Sequence, residues 1–137
     1  MYEYRCKVVH IVDGDTVDVD IDLGFGVWMK KQRIRLYGID TPESRTRDLE
    51  EKKYGLAAKK FLTGMLDDEA GITLKTYKDK EGKFGRILGE LWRTTNYADQ
   101  SINEYMIEKH HAVRYYGQSK EDIEEQQLKN RELVSLS

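Results

Sequence analysis

One cysteine, one proline and three histidines among 137 residues remove several classes of protein at the outset. Cys6 has no partner for an internal disulfide, which excludes a small scaffold framed by disulfides. Together with His10, His110 and His111 it shows none of the paired spacings of a zinc site. No apolar run approaches the roughly 20 residues a bilayer span requires. The opening residues Met1 to Lys7 lack the apolar stretch of a secretory leader. A cytoplasmic protein is expected, a mature secreted chain with its leader removed being the other case, and no membrane partner is expected. An excess of positive charge is also missing: 23 Lys and Arg stand against 25 Asp and Glu, for a net charge of −2. Bulk attraction to polyanions is therefore not the binding principle. What is present, 39% hydrophobic and 35% charged residues, suits one monomeric domain over residues 1–137 around a single core.

The charges are unevenly placed. Residues 13–22 hold Asp13, Asp15, Asp18, Asp20 and Asp22 and no cation, whereas residues 44–60 and 73–86 each carry a net charge of +3. A pocket that wants a cation, flanked by two segments that attract anions, can hold a metal and a phosphate together.

Val17, Val19, Ile21 and Leu23 alternate with acids, the period of a strand with one dry and one wet face. Gly24-Phe25-Gly26 supplies a hairpin turn, and residues 27–39 read as the returning strand. A first strand is expected over residues 4–12, and two more over 71–77 and 86–92, joined by a charged loop over 78–85. Tyr54, Ala57, Ala58, Phe61, Leu62, Met65 and Leu66 recur at helical spacing. A second helix is expected over residues 101–109 with Ile102, Tyr105 and Met106 inward. A third begins at Ser119, in a Ser-x-x-Asp capping box with Asp122, and runs toward Val134. Five strands with a helix between the third and fourth give an α+β fold, a five-stranded OB-fold barrel with about three helices.

Asp15 and Asp40 lie at strand ends with the parity of the apolar face, so both point toward a barrel mouth. Two such carboxylates without a matched cation suit a hard divalent ion, with the Thr41 carbonyl and water completing its shell. Pro42 keeps its predecessor out of helical dihedrals and presents Asp40 and Glu43 on one rigid loop. Glu43 stands where it could deprotonate a water. Arg35 and Arg86 are forks for phosphate oxygens. These groups together describe phosphodiester hydrolysis. The plainer readings are turn chemistry for Asp15 and Asp40, a solvated strand face for Asp18, Asp20 and Asp22, and an exposed strand cation or a cross-strand pair for Arg33.

The stretches 11–17 (Ile-Val-Asp-Gly-Asp-Thr-Val), 35–43 (Arg-Leu-Tyr-Gly-Ile-Asp-Thr-Pro-Glu), 53–55 (Lys-Tyr-Gly), 84–86 (Phe-Gly-Arg) and 102–104 (Ile-Asn-Glu) resemble the thermonuclease, or staphylococcal nuclease-like, family in order and spacing. The resemblance covers nearly the whole chain. It implies a Ca²⁺-dependent OB-fold nuclease acting on DNA and RNA, preferring single strands and leaving 3′-phosphates. It also implies that Asp15, Asp40 and Thr41 are cation ligands, that Glu43 is the general base, and that Arg35 and Arg86 are phosphate clamps. Lys83, Tyr115 and Tyr116 fall where that family contacts the nucleotide. Phe84 replaces a tyrosine, which implies weaker recognition of a terminal phosphate. A glycine that closes the second helix in the family is replaced near His110-His111. The alternative is a catalytically silent OB module that binds single strands or a protein; degenerate copies lose the arginines or carboxylates, and this chain keeps them.

Overall fold

A computed structural model describes residues 2–67, 71–81, 86–94 and 99–136. The strands are β1 (Tyr2–Asp13), β2 (Thr16–Asp22), β3 (Trp28–Leu36), β4 (Ile39–Asp40), β5 (Ile72–Glu81), β6 (Ile87–Arg93) and β7 (Val113–Arg114), and the helices are α1 (Leu49–Met65), α2 (Ile102–Glu108) and α3 (Lys120–Arg131). Five strands close a barrel in the order β1-β2-β3-β6-β5, and β4 and β7 form a separate two-stranded ribbon. All barrel pairings are antiparallel except β3 with β6, where Ile34, Arg35 and Leu36 run alongside Ile87, Leu88 and Gly89. The barrel interior is filled by Val17, Val19 and Ile21 of β2, Ile34 and Leu36 of β3, Leu74 of β5 and Leu91 of β6, all buried. Alternation along β2 works as the sequence implies: its valines and Ile21 go in, and its aspartates stay at the wet wall.

α1 begins at Asp48, whose carboxylate accepts the N–H groups of Glu50 and Glu51. It buries Gly55, Ala58 and Leu62. α2 is capped by Ser101, and Asn103 enters the core from it. The buried Asn103 amide donates to the carbonyls of Tyr37 (2.9 Å) and Gly89 (3.2 Å), and its oxygen accepts the Leu91 N–H (3.2 Å). One side chain thus ties α2 to β6 and to the end of β3, satisfying backbone groups that the barrel ladder leaves over.

Four details depart from the expectations. The returning strand is not continuous over 27–39. It stops at Leu36, Gly38 turns with φ +81°, and Ile39–Asp40 leaves the barrel to pair with Val113–Arg114. The break is held because Tyr37 donates its N–H to Gly89 and gives its carbonyl to Asn103. β5 continues past the expected start of the charged loop to Glu81. α3 ends at Arg131, short of Val134. Tyr105 is only half-buried, with its hydroxyl on the Asp99 carboxylate at 3.1 Å, and the inward polar residue of α2 is Asn103 instead. The phenol needs a partner that the core lacks. His110 takes the place of the expected helix-closing glycine by adopting φ +64° itself, and its N–H returns to the Ile107 carbonyl at 3.0 Å. His111 follows it into the core and stacks on Phe61 at 4.8 Å.

Candidate functional site

Asp15 precedes the first residue of β2, Arg35 lies near the end of β3, and Asp40 lies on the ribbon just beyond the Gly38 turn. Leaving the barrel therefore carries Asp40 back over the mouth instead of away from it. One Arg35 guanidinium nitrogen lies 3.4 Å from Asp15 and 3.7 Å from Asp40. Arg35 is held in place by a 2.9 Å hydrogen bond to the Leu36 carbonyl, which leaves other N–H donors for a phosphate oxygen.

Electrostatics at this point are unbalanced. Burial pushes the Asp40 carboxyl up to about 6, the neighbouring Asp15 charge adds to the rise, and Arg35 opposes it. Thr41 is buried, its N–H donates to the second Asp15 oxygen at 3.2 Å, and its hydroxyl oxygen is buried without a hydrogen-bond partner. Two crowded carboxylates sharing one guanidinium, beside an orphaned hydroxyl, form an oxygen-rich set that suits a hard divalent cation. Among the described residues no cluster of three or more His, Cys, Asp or Glu could hold an ion alone. A cation here would need the Thr41 carbonyl and water as further ligands.

The loop after β4 is fixed from three sides, and this was not read from the sequence. Asp13, at the end of β1, accepts hydrogen bonds from the backbone N–H and the hydroxyl of the buried Ser44. The Glu51 carboxylate of α1 accepts the Glu43 N–H at 3.0 Å. Gly55 of α1 lies so close that a Cβ there would collide with the Glu43 carbonyl and stand 2.6 Å from the Ser44 nitrogen. Gly14 is similarly confined, since its Cβ would meet Ala58 at 2.8 Å and Thr41 at 3.1 Å. The sequence marks Asp13 and Gly55 only as members of short motifs; their work is long-range and becomes visible when β1, the loop and α1 meet.

Arg35, Asp40, Arg86, Tyr115 and Tyr116 line one cleft of about 720 Å³, with Tyr37, Gln118 and Lys120 on its walls. Glu43, exposed, joins Asp40 and Thr41 in an adjoining recess of about 420 Å³, whose far side is α3. Lys120 and Ile123 border both spaces. The structure thus groups Asp15, Arg35, Asp40 and Thr41 directly, adds Arg86 and both tyrosines around one cleft, and sets Glu43 beside it. Lys83 lies outside the described residues. Lys120 was not singled out by sequence, because nothing local distinguishes the first residue of a charged helix from its neighbours.

The staphylococcal nuclease homologue family model matches residues 33–134. A thermonuclease of Staphylococcus hyicus is 32% identical over 90 residues, covering 66% of this chain and 49% of that protein. An Escherichia coli protein named ParB is 33% identical over 118 residues, covering 82% of this chain and 58% of its own length. An uncharacterised Bacillus anthracis protein is 34% identical over 110 residues, covering 80% and 47%. The chain spans about half the length of the curated relatives it matches. With three quarters of its residues inside the family match and its barrel mouth built from the expected strands, the chain belongs to the staphylococcal nuclease homologue family.

Proposed function

We propose that this chain hydrolyses phosphodiester bonds of DNA and RNA, preferring single strands, with Ca²⁺ as its cation and 3′-phosphates as its products. The observation that supports this most is the convergence of Arg35 on Asp15 and Asp40, at 3.4 and 3.7 Å, in the cleft that Arg86 also lines. Asp15, Asp40 and the Thr41 carbonyl would hold the cation, which supplies Lewis acidity at a phosphoryl oxygen. Arg35 and Arg86 grip the other oxygens and stabilise the charge that grows on them in the transition state. Glu43 accepts the proton of the attacking water. The water oxygen bonds to phosphorus as the bond to the 5′ oxygen breaks, and that oxygen leaves with a proton. Tyr115 and Tyr116 flank the nucleoside, where rings stack on bases without reading them.

The test uses an end-labelled single-stranded oligonucleotide with Ca²⁺ and then with chelator. Shortening with Ca²⁺ alone, to fragments with 3′-phosphate ends, is expected, and Glu43→Gln should slow it by about 10²-fold with thermal unfolding unchanged. Gel retardation of the strand without shortening would overturn the hydrolase reading in favour of a silent binding module.

A further inference from the structure

The stretch that carries Arg35 continues into a braced pair of aromatic rings that the hydrolytic groups leave unused. Leu36 is buried in the barrel, and its neighbours Arg35 and Tyr37 share the opposite parity, half-buried on the side of the cleft. Tyr37 is pinned at the main chain from two directions, its N–H donating to the Gly89 carbonyl at 2.8 Å and its carbonyl accepting from Asn103 at 2.9 Å. Its ring stacks on that of Tyr77 from β5, with centroids 3.9 Å apart and planes 28° from parallel. The Tyr77 hydroxyl donates to Glu90, whose other oxygen accepts the Trp92 indole N–H at 2.9 Å. Burial and that carboxylate push the Tyr77 phenol above its ordinary value of 10.0, so it remains a donor and the brace stays closed.

Two observations separate Tyr37 from a ring that only packs. It lines the cleft together with Arg35, Arg86, Tyr115 and Tyr116, whereas Tyr77, Glu90 and Trp92 brace it from outside that space. Tyr77 covers one of its faces, and among the described residues no other ring or cation stacks on it. Charge on this wall is already accounted for. Glu90 is held by Tyr77 and Trp92, and Glu104 is gripped by both Arg114 guanidinium nitrogens at 2.9 and 2.8 Å. Lys75 reaches Glu3 at 3.7 Å and lies 4.2 Å from the Trp92 ring centre. What the wall offers the cleft is therefore a flat, immobilised π surface and not a charge.

We propose that Tyr37 is a base-stacking residue: a nucleobase of the bound single strand, beside the phosphate that Arg35 grips, lies on its ring. The inference rests on the cleft being the strand site, as in the proposed function, and not on hydrolysis. Arg35 and Tyr37 are two residues apart on one side of an extended chain, roughly 6–7 Å at the rise of a strand. A phosphate on the first and a base on the second therefore belong to one nucleotide or to adjacent ones. Because the ring is already fixed by Tyr77 and by both main-chain hydrogen bonds, little rotamer freedom is lost when a base lands on it. Stacking of this kind tolerates any base, since each has a π face, and it needs a base freed from a duplex, whose own stack hides those faces. Tyr77 touches no strand in this arrangement. It is a positioning residue, backing Tyr37 while Glu90 anchors its hydroxyl.

The test compares, by fluorescence anisotropy in chelator, the binding of a labelled thymidine decamer with that of a decamer of the same sugar–phosphate backbone without bases. The wild type should bind the thymidine strand more tightly. Tyr37→Leu keeps an apolar side chain against Tyr77 but has no π face. It should weaken binding of the thymidine strand about tenfold and of the baseless strand by less than about twofold, with thermal unfolding unchanged. Tyr37→Phe should keep the affinity, and Tyr77→Leu should lower it about threefold for the thymidine strand alone. With Ca²⁺ present, Tyr37→Leu should raise the KM for cleavage of the thymidine strand about tenfold and change kcat by less than about threefold. Equal losses on both strands, or wild-type affinity of Tyr37→Leu for the thymidine strand, would overturn the proposal. So would a loss in Tyr37→Phe as large as that in Tyr37→Leu, which would mark the hydroxyl as the contact. A wild type that cleaves nothing yet shows the Tyr37-dependent contrast would overturn hydrolysis and support the stack; cleavage with an unaltered KM in Tyr37→Leu would do the reverse.

Discussion

Two Asp–Arg pairs join β2 and β3 at the wall and at the mouth of the same barrel, and they behave differently. Asp18 and Arg33 face each other in register, with the guanidinium at 2.9 and 3.2 Å from the two carboxylate oxygens. That hydrogen bond holds the Asp18 carboxyl below its ordinary value of 3.8. Asp15, just before β2, and Arg35 of β3 make a looser and more buried contact at 3.4 Å, and Asp40 shares the same guanidinium. There burial and the second carboxylate push Asp40 up to about 6. A carboxylate with its own cation on a wet wall has no unmet electrostatic demand. Two carboxylates around one guanidinium in a cleft retain one, and a divalent ion can meet it.

The largest expected effect separates the two arginines. Arg35→Ala should lower Ca²⁺-dependent turnover on single-stranded DNA by at least about 10²-fold, the scale of one lost transition-state donor. Arg33→Ala, which removes the same group from the wall, should leave turnover within about twofold, because an exposed pair contributes little and lies outside the cleft. Comparable losses from both would erase the distinction between wall and mouth.

Gly55→Ala sharpens the comparison without touching a charge. In an ordinary helix interior this change stabilises by about 1 kcal/mol. At Gly55 the new Cβ collides with the backbone of Glu43 and Ser44. The expected outcome is a stability loss of about 1–3 kcal/mol by urea unfolding and about a 10²-fold loss of turnover as the loop shifts. The Asp18–Arg33 pair, remote from α1, should not feel it. A gain in stability would show that the loop is not held as tightly as the packing implies.

Replacing the acids should reverse the order of harm. Asp40→Asn is expected to abolish Ca²⁺-dependent turnover yet stabilise the cation-free protein at neutral pH by about 1 kcal/mol, since it relieves repulsion from Asp15 while Arg35 keeps one partner. Asp18→Asn should destabilise by less than about 1 kcal/mol and leave turnover intact. Calorimetry in chelator reads both signs.

Much of the molecule is written locally. The alternation of β2, the Ser119 cap and the apolar stripe of α1 can each be read within one or two turns of chain, and all appear in the fold. A cross-strand pair for Arg33 was legible as one of two readings, but its partner Asp18 emerges only from the register of β2 and β3. What escaped was non-local. The residues that stop β3 at Leu36 include Asn103, 66 positions after its partner Tyr37. Gly55 looks like an ordinary helix glycine until the Glu43 loop is laid on it. Lys120 becomes interesting only because α3 borders both the cleft and the recess. Tyr105 was placed inward by period, but period carries no information about where a hydroxyl finds a partner. The short motifs marked residues that the fold gathers around one barrel mouth; how those residues are held there required three dimensions.

The smallest effect is the most diagnostic, because it concerns a pH window and not a magnitude. Asp40 has a raised carboxyl in the fold, so in the cation-free protein its favourable contribution is fully present below the ordinary value of 3.8 and is lost as pH rises through about 6. The advantage of Asp40→Asn should therefore be full at neutral pH, reduced to about half at pH 5 and gone only as the pH reaches the ordinary value of 3.8. Asp18 has a lowered carboxyl, so its contribution is present above 3.8 and is lost as pH falls through the lowered value. The deficit of Asp18→Asn should persist at about pH 5 and fade only in stronger acid. Urea unfolding of the two variants beside the wild type in chelator, across that range, reads both windows. If both differences vanished over the same interval, the carboxylates at the mouth and on the wall would share one environment, and the unmet charge that points to a cation at Asp15 and Asp40 would not exist.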